Sequence, residues 1–315
     1  WIVLALAEAA YLAALAVGFS LVVGRVPGWP VWAACLWVGE ELVRDRWPLG
    51  GFGWGRLAFS QPDTPFTGYA ALAGAPFVTF AVGLSAAFVV AALLGVRLAG
   101  HHRRAVAGTA LAAALAIPLA GTLVPRPTDG DMIQVAVVQG NVPHPGTHFL
   151  GRAEQVLDYH LAETAKLSAG IAGGTLAQPQ IVLWPENASD VDPLDDATVA
   201  ANIQAATRSV GAPILVGAVL DAGPDHVTNT GIVWDPATGP GEQYSKRHLV
   251  PFGEYIPWRG LISHLTSLTT LVPENFLPGH TVGALDIGPT RIADVMCFEV
   301  AFDDVVREGV THGGR

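Results

Sequence analysis

Charged side chains are scarce in this sequence. Asp, Glu, Lys and Arg make up 14% of the 315 residues, and hydrophobic residues make up 51%, whereas an ordinary soluble domain is about 25% charged. The shortage is concentrated in residues 1–124, which hold seven arginines and five acids, so the acids behind the net charge of −10 lie mainly in residues 125–315. Because nucleic acids are bound by basic faces, we expect no nucleic-acid partner.

Cysteine and lysine are almost absent. Cys35 lies in an apolar run, so a disulfide with Cys297 is not expected, and Cys297 is left as a free thiol. Lys166 and Lys246 are the two lysines among 17 basic side chains. Lys246 stands beside Arg247, which suggests that a compact point charge is required at position 246. A solvated surface lysine is the alternative interpretation.

Long apolar runs fill the first 125 residues. A helix needs about 20 apolar residues to cross a bilayer. We therefore predict a transmembrane helical region over residues 1–125, with about four membrane segments. The second run qualifies only if Glu40 and Glu41 lie at the interface or inside a bundle, and the alternative for all four is burial in a large soluble core. The runs are 1–24, 26–39, 64–96 and 105–125.

The loops between these runs suggest an orientation. The turn "VRLAGHHRR" holds three arginines and no acid, which favours the cytoplasmic side. The aromatic loop 44–65 would then lie on the opposite face, where Arg44, Arg46 or Arg56 could hold a lipid headgroup. The third run is longer than one crossing requires, so its first part could follow the membrane surface or re-enter. This orientation predicts a multi-pass plasma-membrane protein with residues 131–315 on the extracytoplasmic face.

The pattern from residue 131 onward alternates short apolar strands with amphipathic helices. Examples are the strand-like "PQIVLWPE" and the helix-like "DDATVAANIQAATRSVG". Alternation of this kind predicts a layered α/β domain with its sheet buried under helices. The sequence does not begin with Met and stops soon after a helix-like segment. We therefore expect a fragment whose second domain, 131–315, is truncated at its C-terminal end.

Three reactive side chains stand at or just beyond predicted strand ends. They are Glu186 in "VLWPEN", Lys246 in "YSKRHLVPFGEYIP" and Cys297 in "DVMCFE". Strand ends in α/β domains are common positions for active sites. Cys297 is either a structural buried cysteine or a nucleophile that an adjacent base activates. Glu186 is either a turn residue or that base.

In this order, the three side chains resemble the Glu–Lys–Cys triad of the nitrilase (carbon–nitrogen hydrolase) superfamily. Together with the apolar region before them and the "GFGWGRLAFSQ" loop, they resemble the apolipoprotein N-acyltransferase family, of the actinobacterial sort. The resemblance implies an αββα sandwich preceded by a transmembrane helical bundle. It also implies acyl transfer through a Cys297 thioester, with Glu186 as general base and Lys246 stabilising the oxyanion.

The acyl donor implied by the resemblance is a phospholipid, and the acceptor is the α-amino group of a diacylglyceryl-cysteine lipoprotein. The backbone N–H of Phe298 would be a second oxyanion donor, although the family often has Tyr at this position. Glu254 and Glu299 match acidic positions near the lysine and after the nucleophile. Candidate substrate-binding residues are Trp184, Tyr255 and Trp258.

No cofactor or metal is expected, because the ten histidines are scattered and no His/Cys cluster has ligand spacing. Residues 255–280 are apolar and could form an arm that dips into the membrane interface, or an ordinary packed insertion. Two other functions remain as alternatives. One is a nitrilase-like amidase that hydrolyses a small amide, and the other is a membrane anchor that carries a catalytically dead domain.

Overall fold

The computed structural model describes residues 2–96, 101–126, 130–141 and 153–315. The chain divides into two compact units, Trp1–Asp129 and Gly130–Arg315. The arginine-rich turn on which the predicted orientation rests includes residues 97–100, which lie outside the described residues.

The described part of the first unit is helical. Helix α2 packs against both α1 and α3, and α3 packs against α4. Within the described residues, three segments are long and apolar enough to cross a membrane, namely Ile2–Val22, Pro65–Gly95 and Arg104–Thr122. The helices are α1 (Ile2–Val22), α2 (Trp29–Arg44), α3 (Ala70–Val96) and α4 (His101–Thr122), and short 3-10 turns cover Gly53–Gly55, Leu57–Ser60 and Pro65–Tyr69.

The third apolar run is not one straight helix. Its 3-10 turn leads into α3, whose first turns are interrupted at Ala73 and Gly74, where φ is −153° and 70°. Pro76 comes two residues after Gly74 and has no backbone N–H to continue the helical ladder. The interruption falls inside "FTGYAALAGAP", the stretch expected to depart from a simple crossing.

Buried charges tie the loop after α2 back to that helix. The side chain of Arg44 donates to Glu40 Oε1 at 2.9 Å and to the carbonyl of Phe52 at 2.8 Å. Arg56 and Asp45 are both buried and form an ion pair of 2.5 Å. The suggestion that Arg44 or Arg56 holds a lipid headgroup is therefore wrong, because protein groups already occupy both guanidinium ions.

The second unit is built on a six-stranded mixed sheet. Strands β1, β2 and β3 run parallel, β3, β4 and β5 are antiparallel, and β6 extends along β4. A separate antiparallel pair joins β7 to β8. The strands are β1 (Val135–Val137), β2 (Ile181–Leu183), β3 (Ile214–Asp221), β4 (His226–Asp235), β5 (Gly239–Ser245), β6 (Asn275–Phe276), β7 (Ala284–Ile287) and β8 (Thr290–Ala293).

Helices cover both outer sides of these sheets. Alternation along β2 sends Val182 into the core shared with α5 and α6, whereas Ile181 packs against the β7–β8 pair. On the far side of that pair, α8 lies so close to β8 that a Cβ on Gly309 would come within 2.7 Å of the Ala293 Cβ. The predicted αββα layering is therefore confirmed. The helices are α5 (Ala153–Ala172), α6 (Ala197–Val210), α7 (Arg259–Leu265) and α8 (Asp303–Thr311).

Local sequence signals set the ends of α6. The Asp196 side chain caps its first turn by accepting hydrogen bonds from the backbone N–H groups of Thr198 and Val199, at 2.7 and 3.0 Å. Gly211 ends the helix with a left-handed φ of 70°. The helix predicted over this stretch is thereby confirmed with both of its ends explained.

Candidate active site

Three chain segments that follow strands of the second unit meet at one site. Glu186 comes three residues after β2, Lys246 directly follows β5, and Cys297 comes four residues after β8. The predicted strand over "TRIADVMCFE" ends earlier than expected, at Ala293, and Cys297 opens a 3-10 turn. Leaving the strand frees this segment to bring its thiol to the site.

Lys246 lies at the centre of the site and is 1% exposed. Its Nζ donates to Glu186 Oε1 and to Glu254 Oε1, at 2.8 Å in both cases. Burial would lower the pKa of Lys246, but the carboxylates of Glu254 and Glu186 outweigh burial and raise it. The ammonium is therefore a fixed positive charge, shared between two acids.

Asn229 is a site residue that sequence reasoning missed. Its Nδ2 donates to Glu186 Oε1 at 2.5 Å and to Glu254 Oε1 at 3.2 Å. The backbone N–H of Lys246 donates to the Asn229 carbonyl at 2.8 Å, so pairing between β4 and the end of β5 sets the two side chains together. The sequence signal is a buried polar residue within the apolar strand "VTNTGIVWD".

Cys297 has a strained backbone and an exposed thiol. Its φ of 48° lies in the left-handed region, which non-glycine residues seldom adopt outside turns and functional sites. Burial raises the pKa of the thiol, and Glu186 raises it further through its charge and a side-chain hydrogen bond. Lys246 and the backbone N–H of Phe298 act in the opposite direction. A thiol held neutral in this way requires a base, and Glu186 is in contact with it.

Glu299 ties the lysine segment to the cysteine segment. It is fully buried, and its Oε1 accepts hydrogen bonds from Tyr244 Oη at 2.8 Å, Arg247 N at 2.7 Å and His248 N at 3.1 Å. Its Oε2 accepts from Met296 N at 3.1 Å. Glu299 therefore connects the residues after Lys246 to the residue before Cys297.

The remaining predicted site residues are dispersed. Trp184 is 3% exposed, packs in the core shared with α5 and α6, and donates from Nε1 to Thr164 Oγ1 at 3.1 Å, so the structure does not bring it to the site. The ring of Phe298 is buried edge-on against Phe302. Tyr255 is partly buried, and burial raises its pKa. Trp258 is exposed at the start of α7.

A thiol beside a carboxylate and a buried ammonium is the arrangement that nucleophilic acyl transfer uses, since it combines a nucleophile, a base and a preorganised positive charge. Within the residues that the structure describes, no three His, Cys, Asp or Glu side chains are grouped as a metal ion would require. The nucleophile, base and positive charge brought together at this site suit cysteine-dependent acyl transfer or hydrolysis.

Comparison with known proteins narrows this class. Residues 1–88 match the apolipoprotein N-acyltransferase N-terminal domain. The whole chain is 39% identical over 334 residues to the apolipoprotein N-acyltransferase of Mycolicibacterium smegmatis, of which it covers 56%. It is 28% identical to that of Photobacterium profundum, over 87% of this chain and 52% of that protein. The chain is thus similar to apolipoprotein N-acyltransferases, and it spans about half the length of the curated relatives it matches.

A solved structure also resembles the chain. The amidase from Nesterenkonia sp. superposes with a TM-score of 0.40 and 16% sequence identity, covering 59% of this chain and 64% of the amidase.

Proposed function

We propose that the chain acts as a membrane-bound N-acyltransferase. The reaction transfers a fatty acyl chain from a phospholipid to the α-amino group of the N-terminal diacylglyceryl-cysteine of bacterial lipoproteins. The observation that carries the proposal is the buried Lys246 ammonium, 2.8 Å from Glu186 and 2.8 Å from Glu254, beside the Cys297 thiol. Three helices of membrane-crossing length and the similarity to N-acyltransferases connect this site with lipid substrates.

The first step transfers the acyl chain to the protein. Glu186 takes the proton of the Cys297 thiol, and the sulfur forms a bond to the ester carbonyl carbon of the phospholipid. The carbonyl oxygen becomes an oxyanion, which Lys246 and the backbone N–H of Phe298 stabilise. The carbon–oxygen bond to the glycerol then breaks, and the leaving oxygen takes the proton from Glu186. The products are a lysophospholipid and a thioester on Cys297.

The second step uses the same groups to move the acyl chain from Cys297 to the acceptor. The free α-amino group of the lipoprotein attacks the thioester carbonyl and gives up a proton to Glu186. Lys246 again faces the oxyanion. The carbon–sulfur bond breaks, an amide is formed, and the departing Cys297 sulfur recovers the proton from Glu186. Glu186 thus carries one proton in each step, first from Cys297 to the leaving oxygen and then from the amine to the Cys297 sulfur. It ends the cycle in the form in which it began.

An exposed apolar segment supports delivery of a lipid substrate. Between residues 255 and 280, Trp258 is 67% exposed and Leu265 is 73% exposed, with Leu261 and Leu268 similarly open. Clusters of exposed large apolar side chains are typical of surfaces that meet a membrane or a partner. We propose that this segment enters the membrane interface, and that the catalytic unit faces the extracytoplasmic side of the plasma membrane.

The direct test combines full-length protein, a phospholipid and a diacylated lipopeptide with a free N-terminal amine. We expect the mass of the lipopeptide to rise by one acyl group with the wild-type protein, and not with Cys297→Ala. Full acylation by Cys297→Ala would refute the mechanism. If the wild-type protein leaves the lipopeptide unchanged but releases ammonia from small amides, the proposed function is wrong and the protein is an amidase.

A further inference from the structure

Asp294 is a partly buried residue near the nucleophile whose carboxyl group the proposed mechanism does not use. It follows β8 and precedes Cys297 by three residues. Its backbone N–H donates to the Gly283 carbonyl at 2.6 Å. Its Oδ2 is buried and has no hydrogen-bond partner among the residues that the structure describes. A buried oxygen without a partner is costly, so its position calls for an explanation.

Two facing glycines make the space that Asp294 occupies. Gly217 on β3 and Gly231 on β4 are direct partners in the sheet. A Cβ on Gly231 would lie 2.1 Å from Asp294 Oδ2, and a Cβ on Gly217 would lie 2.8 Å from Glu186 Cα. Side chains at both glycines are therefore excluded by the segments that carry the nucleophile and the base. These segments rest in one slot on the sheet, which we call the glycine slot (Gly217 and Gly231).

The charges around Asp294 favour its neutral form. Burial raises its pKa from 3.8 to about 7, and the charges of Glu299 and Glu186 add to the rise. The two cations of the lysine segment are paired with other acids, since Lys246 binds Glu186 and Glu254, and Arg247 binds Glu308 at 2.8 Å. Tyr244 donates to Glu299, so its hydroxyl proton is also taken. An ionised Asp294 would be a buried negative charge facing two others.

We propose that Asp294 is a positioning residue for Cys297. Seated against Gly231 as the neutral acid, it holds the segment 294–297 in the glycine slot and thereby aims the thiol at Glu186. Loss of the proton would place an uncompensated charge in the slot and displace the segment. The inference rests on the proposed role of Cys297 as acyl carrier, and it predicts that acylation weakens as the pH rises.

The sign and the window follow from the raised pKa. Below about pH 4, Asp294 is neutral in both the folded and the unfolded chain. Between there and about pH 7 the folded chain keeps a proton that the unfolded chain loses, so the stability from this group falls as the pH rises. At pH 8, one unit above a pKa of about 7, roughly one molecule in ten keeps Asp294 neutral.

The test compares wild-type protein with Asp294→Asn, which has nearly the same shape and cannot ionise. Full-length protein in detergent is mixed with p-nitrophenyl butyrate, and the burst of p-nitrophenol reports acylation of Cys297, with Cys297→Ala as the blank. We expect the ratio of the Asp294→Asn rate to the wild-type rate to be near one at pH 6 and about tenfold at pH 8. Asp190→Asn is the matched control, since burial raises the pKa of Asp190 to about 6, and its ratio should stay flat.

A ratio that does not change with pH would overturn the inference. A second set of variants tests it if Asp294→Asn does not fold. Gly231→Ala should slow the burst at pH 6 by pushing the carboxyl out of the slot, and Asp294→Ala should slow it at pH 6 and pH 8 alike, because no carboxyl then holds the segment. A wild-type burst rate at pH 6 in folded Asp294→Ala protein would also overturn the inference. The activated ester requires neither phospholipid nor lipoprotein, so failure of the proposed substrates would leave the burst intact and be distinguishable.

Discussion

Both units of the chain bury charged side chains, but they use them differently. In the first unit, Arg56 and Asp45 form a buried ion pair with an N–O distance of 2.5 Å. This pair holds the loop that contains Arg56 against the end of α2. In the second unit, Lys246 serves both Glu186 and Glu254, and an exposed thiol stands beside them. The Arg56 guanidinium, paired with Asp45 and lying over the Phe59 ring, holds structure. A cation divided between two acids can turn toward a new negative charge without losing all of its contacts.

The strongest test of this comparison removes the cation from each unit. Lys246→Met should lower the burst rate with an activated ester by about 1000-fold, since the preorganised oxyanion partner is lost. Arg56→Met should destabilise its own unit by about 3–5 kcal/mol because the buried Asp45 loses its ion pair with Arg56. The burst rate of folded Arg56→Met protein should stay close to that of the wild type.

Thermal unfolding measures the loss of stability, and the burst assay measures the loss of activity. Lys246→Arg is the matched control, because it keeps the positive charge but replaces the compact ammonium by a planar guanidinium. If Arg56→Met reduced the burst in folded protein as much as Lys246→Met does, the distinction between structural and functional buried charge would not hold for this chain.

The triad could be proposed from sequence because each member lies at or near a strand end, and strand ends can be recognised one at a time. Asn229 and Asp294 could not. Asn229 reaches Glu186 because of the register between β4 and β5. The sequence of β5, "GPGEQYS", is rich in glycine and polar residues and does not indicate a strand. Asp294 fits where it does because two residues on other strands, Gly217 and Gly231, have no side chains. Contacts of this kind depend on pairing between distant segments, which local pattern does not encode.

The membrane segments show the same division. Apolar length predicted about four membrane segments, and within the described residues three helices are long and apolar enough to cross a bilayer. Such segments can be predicted because length and composition are local properties. The same reasoning predicted that arginines of the loop 44–65 could bind lipid headgroups. In the structure, Arg44 is instead paired with Glu40, and Arg56 with Asp45. Their partners lie 4 and 11 residues away, at spacings that a list of loop charges does not reveal.

A medium-sized effect is expected within the site itself, where the two carboxylates on Lys246 differ in their proposed roles. Glu186→Gln should slow the burst by about 100-fold, because the base for the thiol is lost. Glu254→Gln should slow it by about tenfold, since the base remains and Lys246 loses one of its two carboxylates.

Both variants have the same shape change, so each is the control for the other in the burst assay. Equal losses would show that the two acids act only as a pair of counter-ions for Lys246, and Glu186 would then lose its separate assignment as base.

The smallest effects should come from two tryptophans that sequence reasoning grouped together as substrate-binding. Trp184 belongs to the folded core: alternation along the segment that begins with β2 places it on the same side as Val182, and Trp184→Phe removes its hydrogen bond to Thr164. We expect a loss of about 1 kcal/mol in unfolding free energy and no change in the burst rate.

Trp258 is exposed, so Trp258→Ser should leave the unfolding free energy nearly unchanged. With a phospholipid donor in vesicles, however, the rate should fall a few-fold, because less apolar surface would meet the bilayer, while the burst with the soluble ester should be preserved. A stability loss in Trp258→Ser without a lipid-dependent rate change would assign the 255–280 segment to packing. The opposite pattern would assign it to the membrane, and would show that burial, more than residue type, separates the two tryptophans.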